Sequence, residues 1–178
     1  MNHTRNLKGF SVLELLIVIA IVSTMAMFAL PNMTRLMQSN RMTTAKNALL
    51  ATLHQARSES ASTSRNAVLC PSANGHQCLT TGDWSRGWLL YRDDNANGRF
   101  DPVESLLQVH EMDVTDLRVR TSDGRRKVTY RNLGRADGTN LSFIFCDRRG
   151  DAGGGLVVVA NSGRMRSSDR VPAGACSA

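Results

Sequence analysis

Residues 8–31 read KGFSVLELLIVIAIVSTMAMFALP. From residue 10 to residue 31 the only charged side chain is Glu14. About 20 apolar residues are enough for a helix to cross the hydrocarbon core of a bilayer. Residues 1–9, which precede the apolar run, carry two basic side chains and no acid, which favours retention of that flank on the cytoplasmic side. The sequence therefore predicts a membrane-spanning helix that leaves the rest of the chain exported.

The whole chain has 178 residues, of which 42% are hydrophobic and 21% are charged. This composition is ordinary for a folded protein and excludes wholesale disorder or a collagen-like repeat. The net charge is +7, but its distribution is uneven. Residues 66–115 carry a net −4, whereas residues 116–178 carry a net +6. A basic region separated from an acidic one indicates an anionic partner for the C-terminal third.

The junction of basic flank and apolar run also carries a motif, Lys8-Gly9-Phe10-Ser11-Val12-Leu13-Glu14-Leu15. It resembles the class III signal of type IV prepilins and type II secretion pseudopilins. The resemblance implies that a prepilin peptidase cuts after Gly9 and that the new terminal residue, Phe10, is N-methylated. It also implies a partner for Glu14, the α-amine of Phe10 on a neighbouring subunit. An uncleaved signal anchor is the alternative, but it leaves a costly carboxylate in the membrane without a partner.

Beyond Pro31, apolar residues recur at steps of three and four, which is the pattern of one face of an amphipathic helix. Pro31 is compatible with a kink in a membrane helix rather than its end. We expect the helix to fade in the serine-rich stretch 58–64. From residue 10 to about residue 61 it would be ~75 Å long, a length that suits a filament subunit. The predicted stripe consists of Met42, Ala45, Leu49, Leu53 and Ala56.

From residue 65 onward, short runs of β-branched and aromatic residues alternate with turn signals, which predicts two packed antiparallel sheets. The fold class is therefore α+β, with a long N-terminal helix packed on a C-terminal antiparallel β-sandwich head. The candidate strands are Ala67–Cys70, Gly87–Tyr91, Ser105–His110, Leu117–Arg120, Val128–Arg131, Leu141–Cys146, Leu156–Ala160 and Arg164–Arg166. The turn signals are Asn97-Gly98, Asp123-Gly124, Asp137-Gly138, Gly153–Gly155 and Ser162-Gly163.

The head resembles the FimT/GspH group of minor pilins and pseudopilins. The resemblance implies a type IV pilin-like fold, low copy number, a place at or near the fibre tip, and other pilins or pseudopilins as partners. It implies a leader at 1–9, a membrane and fibre-core helix at 10–31, a stalk helix at 32–64 and a head at 65–178. The protein would cross the inner membrane of a Gram-negative bacterium once, with a periplasmic head, before joining the fibre. The matching segments are Trp88–Asp93, Phe143–Arg149, Val157–Val159 and Gly163–Arg166.

All four cysteines follow the predicted span, so export would place them in the oxidising periplasm. Four cysteines allow three pairings. We favour Cys70 with Cys78, which closes a local loop, and Cys146 with Cys176, which ties the tail to a strand. The rival is a zinc site of Cys70, His76 and Cys78, but this spacing matches no strong zinc pattern. We expect no metal or other cofactor.

The loop after the second candidate strand has two interpretations. Asp93-x-Asn95-x-Asn97-Gly98, followed by Glu104, fits the spacing of an EF-hand calcium loop. Asp101 would add another oxygen ligand, and Phe100 supplies an apolar residue after the turn of the loop. Strands rather than helices flank the loop, however, and Asn-Gly is a common hairpin turn. The sequence leaves both interpretations open.

The C-terminal third is rich in arginine, whose planar fork donates paired hydrogen bonds to phosphate. Gly163-Arg164-Met165-Arg166 matches the GRxR motif of competence-associated FimT minor pilins, a resemblance that implies DNA binding for natural transformation. On a strand, Arg164 and Arg166 would point to one face. A solvated surface on a purely structural pilin or a type II secretion pseudopilin is the alternative. The predicted DNA-binding residues are Gly163, Arg164, Arg166, Arg148, Arg149 and Arg170.

Besides a DNA-binding pilin and a purely structural subunit, an enzyme is a third class of function, and the sequence disfavours it. His3 lies in the leader and His54 on the stalk, whereas His76 and His110 lie in separate head segments. No nucleophile motif, ligand cluster or phosphate loop accompanies them. We therefore assign no catalytic residues.

Overall fold

The computed structural model describes residues 11–112, 116–122 and 124–177. Gly9 and Phe10, the residues of the expected cleavage and methylation, lie outside the described residues. The chain forms two compact units, Met1–Gln38 and Ser39–Ala178.

One helix, α1 (Val12–Thr63), accounts for the described part of the first unit and continues into the second. Ser11 precedes it, and its Oγ accepts a hydrogen bond from the Leu13 amide at 3.3 Å, as an N-cap does. The most apolar 18-residue window has a mean hydropathy of 2.5, and none of it is buried. Within the described residues α1 is the one helix long and apolar enough to cross a membrane, and the exposed Glu14 lies in its first turn.

Within the second unit, the predicted apolar stripe of the stalk is confirmed. Met42, Ala45, Leu49, Leu53 and Ala56 are all buried, and the last three are fully so. They belong to one hydrophobic core that also contains residues of both sheets. The stalk helix is therefore part of the head's core.

The head contains two four-stranded sheets whose neighbouring strands are all antiparallel. The first sheet has the order β3-β2-β1-β5, and the second has the order β4-β6-β7-β8. A 3-10 turn, Asn132–Gly134, follows β5. The strands are β1 (Asn66–Pro71), β2 (Gly87–Asp93), β3 (Ser105–Glu111), β4 (Arg118–Arg120), β5 (Val128–Tyr130), β6 (Leu141–Asp147), β7 (Gly150–Val159) and β8 (Met165–Ser168).

Two buried tryptophans anchor the core with satisfied indole groups. Trp88 Nε1 donates to Thr52 Oγ1 of α1 at 3.1 Å, and Trp84 Nε1 donates to Thr121 Oγ1 at 3.2 Å. Trp84 also packs edge-on against Phe143, with ring centroids 4.8 Å apart. Because a buried polar group without a partner is costly, these hydrogen bonds fix the orientation of both rings.

Each candidate strand corresponds to an observed strand, but the start predicted for β7 was wrong. The strand begins at Gly150, and Gly153–Gly155, interpreted as a turn, lie inside it. A Cβ on Gly155 would lie 2.8 Å from Lys46 Cδ and 3.1 Å from Met42 Sδ of α1. Glycine is therefore present here because the helix passes close to the strand.

Two disulfides join Cys70 to Cys78 and Cys146 to Cys176, with Cα–Cα distances of 5.6 and 5.4 Å. These are the two pairs favoured from the sequence. The first bridge removes two of the three ligands of the rival zinc site.

Candidate nucleic-acid interface

The second sheet has one face in the core and one face turned away from it. Val119 of β4, Phe143 and Phe145 of β6, and Val157 and Val159 of β7 are core residues. Because side chains alternate along a strand, the intervening residues point to the opposite face. We call this the outer face of the second sheet.

The β8 edge of the outer face carries the predicted pair of arginines. Arg166 lies opposite Val158 in the β7–β8 pairing. Arg164 immediately precedes β8, and its carbonyl accepts a hydrogen bond from Ala160 N at 2.9 Å, which extends the ladder by one step. Both arginines are exposed. Since they lie two residues apart on an extended segment, they share one face.

Gly163 closes the hairpin in front of these arginines. Its amide donates to Ala160 O at 2.8 Å, and its φ is +75°, a conformation that favours glycine. A Cβ at this position would lie 2.0 Å from Gly134 O. The glycine of the motif therefore has a structural role, and the two arginines are the groups available to a ligand.

The β4 edge of the same face carries further arginines. Arg118 and Arg120 flank the core residue Val119, and Arg120 lies opposite Ile144. Arg125 donates hydrogen bonds to Asn140 O and Oδ1. These residues line an open groove of about 800 Å³, whose wall includes Arg118, Arg120, Arg125, Asn140, Ser142 and Ile144. These arginines belong to the arginine-rich C-terminal third but were not among the predicted DNA-binding residues, because only the strand register places them on this face.

The C-terminal tail is fastened at one end of the outer face. Cys176 is bonded to Cys146 of β6, and Arg120 donates to Ala175 O. Asp151 accepts hydrogen bonds from the amides of Gly174 and Cys176, at 2.6 and 2.8 Å. The exposed Arg170 lies in the segment between β8 and this fastened end.

Two predicted residues, Arg148 and Arg149, are engaged by carboxylates instead. Arg148 is 2.6 Å from Asp116, whose other oxygen is 3.3 Å from Arg41. Arg149 makes a forked interaction with Asp147, at 2.5 Å and 2.9 Å. The hydrogen bonds that Arg149 donates to Asp147 raise the pKa of Arg149 above its usual value. These two guanidinium groups are therefore largely neutralised by neighbours.

The described acids of the C-terminal third pair with groups other than the arginines at the two sheet edges. Besides Asp116, Asp147 and Asp151, Asp137 pairs with Arg135 and Asp169 pairs with Lys46. Those hydrogen bonds lower the pKa of Asp137 and of Asp169. In the part of the chain that the structure describes, no carboxylate pairs with the side chains of Arg118, Arg164, Arg166 or Arg170. The outer face and the adjoining tail thus carry positive charge that no described carboxylate offsets.

A long N-terminal helix followed by two antiparallel sheets defines a pilin-like α+β subunit. A family model described as type II transport protein GspH matches residues 45–163, and the chain belongs to this family. The family and the fold together identify the chain as a pilin-like protein of the GspH family. The matched segment ends at Gly163, so Arg164, Arg166 and Arg170 lie outside it.

One curated relative is the pilin-like protein PilA1 of Thermus thermophilus, 33% identical over 103 residues. The alignment covers 58% of this chain and 59% of that protein, so the chain spans less than two thirds of the relative's length. Two crystal structures of the type IV minor pilin FimU of Pseudomonas aeruginosa share the fold. Their TM-scores are 0.52 and 0.54 at 20% and 22% identity; they cover 71% and 75% of this chain and 92% and 90% of FimU.

Proposed function

We propose that this protein is a minor type IV pilin at or near the pilus tip that binds DNA through the outer face of its second sheet and serves DNA uptake in natural transformation. The observation that carries the proposal is the placement, at both edges of one sheet face, of arginines that pair with no described carboxylate. Arg118 lies at the β4 edge, and Arg164 and Arg166 lie at the β8 edge. Arg170 follows in the adjoining tail.

The spacing of the two edges suits a polyanion. β4 and β8 are three strand spacings apart, or about 14 Å. That separation is comparable with the width of the major groove of B-DNA, about 12 Å, so arginines at the two edges can reach phosphates on both sides of a groove. Guanidinium groups can bind these phosphates in a forked geometry.

The residues between the edges favour binding that is independent of sequence. Ser142 and Ile144 of β6 and Leu156 and Val158 of β7 point to the outer face, and none is aromatic. Base stacking therefore contributes little, and the affinity rests on phosphate contacts. We infer weak sequence preference and a steep loss of affinity with salt.

Assembly of the subunit follows from its helix and its family. The exposed apolar helix and the pilin family indicate membrane anchoring and fibre assembly. In our proposal a prepilin peptidase cuts after Gly9, and Phe10 is N-methylated. Glu14 then pairs with the terminal amine of a neighbouring subunit, which removes the cost of a lone carboxylate in the membrane. The chain starts as a single-pass inner-membrane protein with a periplasmic head.

Fluorescence anisotropy with a labelled duplex tests the DNA proposal on the full chain in a neutral detergent. We expect the Arg164→Gln/Arg166→Gln variant to bind DNA at least tenfold more weakly. Arg65→Gln/Arg86→Gln is the matched control, since it removes two exposed arginines that precede β1 and β2 of the first sheet. Equal affinity of the two double variants for DNA would refute the outer face of the second sheet as the DNA site.

A structural pseudopilin of a type II secretion system is the second candidate. The observation in its favour is the family model itself, which is that of a type II transport protein. Deletion of the gene discriminates between the two. A transformation defect with normal pili supports DNA uptake, whereas a secretion defect supports the pseudopilin.

A further inference from the structure

The loop that joins β2 to β3 has a feature that DNA binding does not use. Residues 93–104 read DDNANGRFDPVE. In a calcium-binding loop of twelve residues, side chains at positions 1, 3, 5, 9 and 12 face the ion, and glycine occupies position 6. Here those positions hold, in order, Asp93, Asn95, Asn97, Asp101 and Glu104, with Gly98 at position 6.

The first half of the loop wraps around the carboxylate of Asp93. Its Oδ1 accepts a hydrogen bond from Asn97 N at 3.1 Å, and its Oδ2 accepts one from Gly98 N at 3.0 Å. The side chain of Asn97 accepts from Arg99 N at 2.6 Å. Gly98 has a φ of +68°, which lets the chain reverse around the carboxylate.

The acids of the second half of the loop take part in hydrogen bonds within the loop. Asp101 N donates to Glu104 Oε2 at 3.1 Å. The side-chain amides of Asn95 and Asn97 donate to Asp101 Oδ2, at 3.1 and 2.7 Å. Phe100 holds the loop on the first sheet, because its ring lies 5.2 Å from that of the buried Tyr91. The ammonium group of Lys127 donates a hydrogen bond to Gly98 O of the loop.

An unsatisfied buried carboxylate oxygen indicates what the loop lacks. Glu104 is only 7% exposed and Asp93 only 3%. Glu104 Oε1 is buried and has no hydrogen-bond partner among the residues that the structure describes. Burial raises the pKa of Glu104, and the charges of Asp93 and Asp101 raise it further. The hydroxyl of Tyr91 is also buried and has no hydrogen-bond partner among the described residues. Burial is the largest cause of its raised pKa, and the charges of Asp93, Glu104 and Asp101 raise it further.

A buried acid with a free oxygen beside two other acids requires a proton or a cation. We propose that residues 93–104 form a calcium site, in which Glu104 binds the ion through both oxygens. Asp93, Asn95, Asn97 and the carbonyl oxygen of Arg99 complete the shell, with Asp101 bound through a water molecule.

Calcium suits this set better than other common metals. Among the described residues no group of three or more acids, histidines or cysteines is placed to hold a metal ion. The proposed shell therefore depends on amide and carbonyl oxygens as well as on carboxylates. Calcium accepts six to eight such oxygens in a flexible geometry, whereas Mg²⁺ demands a near-octahedral shell. Binding requires the amides of Asn95 and Asn97 to turn their oxygens inward, a rotation about one side-chain torsion.

Calorimetric titration of the full chain in neutral detergent with CaCl₂, after removal of metals with EDTA, tests the site. We expect one ion per chain, with a Kd on the order of 10⁻⁴ M, and a melting temperature about 5 °C higher in saturating calcium than in EDTA. MgCl₂ at the same concentration should give neither effect. No heat and no rise in melting temperature in millimolar calcium would overturn the proposal.

Variants of the loop show whether the heat arises there. Glu104→Gln should lose calcium binding and the calcium-dependent rise in melting temperature, and Asp101→Asn should weaken both. Asp94→Asn is the matched control, because Asp94 occupies position 2 and pairs with Arg92 instead. Binding that is lost equally in Asp94→Asn, or retained in Glu104→Gln, contradicts the assignment. Since the loop contributes no residue to the outer face of the second sheet, failure of either proposal leaves the other intact.

Discussion

Gly163 packs directly against the backbone of Gly134: a Cβ on the first would lie 2.0 Å from the carbonyl oxygen of the second. The β7–β8 hairpin is thereby seated on the 3-10 turn that follows β5. Ala136 N adds a hydrogen bond to Asn161 O at 2.9 Å across the same junction. The position of Arg164 and Arg166 is thus fixed by backbone contacts rather than by their own side chains.

Gly163→Ala should therefore lower the free energy of unfolding by about 2–4 kcal/mol, through both a backbone clash and strain at positive φ. Denaturant unfolding followed by the fluorescence of Trp84 and Trp88 measures this. Gly138→Ala is the matched control, since its φ is +74° but its Cβ would meet nothing within 4 Å. It should cost only about 1 kcal/mol. Similar losses in the two variants would argue against the close contact with Gly134.

The salt dependence of DNA binding measures how many phosphates the outer face neutralises. With four contacts, log Kobs should fall with log[salt] at a slope of about −3.6, a loss of roughly 10²-fold between 50 and 200 mM salt. In Arg164→Gln/Arg166→Gln the slope should become shallower by about 2. Anisotropy titrations at a series of salt concentrations give both slopes. An unchanged slope in the variant would mean that these arginines contact no phosphate.

The two-edge model also makes a prediction for Arg118, a residue that the GRxR resemblance does not include. Arg118→Gln should weaken DNA binding about as much as Arg164→Gln does, because each removes one phosphate contact at opposite edges of the sheet. Arg86→Gln, with the same change of charge outside the outer face, should have little effect. If Arg118→Gln behaves like Arg86→Gln, the DNA contacts only the β8 edge.

Glu104 gives a test of the loop that depends on pH. Its pKa is raised in the folded state by burial and by nearby acids, so the folded chain binds a proton more tightly than the unfolded chain. Its contribution to stability is therefore retained at low pH and lost as the pH rises through the raised pKa. Without calcium, Glu104→Gln should be more stable than the wild type at pH 7 by about 1 kcal/mol, and the difference should shrink as the pH falls through the raised pKa and be smallest below about pH 4.5.

Thermal melts of both proteins across this pH range, in EDTA and in calcium, measure the difference. Calcium should reverse the order at pH 7, since only the wild type binds it. A Glu104→Gln variant that is less stable than the wild type in EDTA would contradict the presence of an unsatisfied carboxylate.

Local patterns predicted much of the fold. The stripe from Met42 to Ala56 forecast which face of α1 is buried, because helical periodicity depends only on neighbouring residues. Alternation and turn residues located the strands for a similar reason. Gly153–Gly155 misled the prediction of β7, because the close approach of α1 that requires Gly155 involves a residue more than 100 positions away.

The candidate site was predictable in part. The two-residue spacing of Arg164 and Arg166 implied that both side chains lie on one face, and the extended segment of the β7–β8 hairpin places them so. The sequence could not distinguish them from Arg148 and Arg149, since the pairing of Arg148 with Asp116 depends on how β4 and β6 are aligned. Nor could it place Arg118 on the same face as Arg166, because the two lie at opposite edges of a sheet whose strand order is not sequential.

The apolar N-terminal helix, the α+β class and the excess of arginine in the last third follow from composition or from spacing within a few residues. Three other features depend on the three-dimensional fold. They are the set of arginines that pair with no described carboxylate, the placement of these arginines on one sheet face, and the buried oxygen of Glu104 that has no partner among the described residues. Charge compensation and burial depend on residues brought together from distant parts of the chain, and strand pairing makes those contacts.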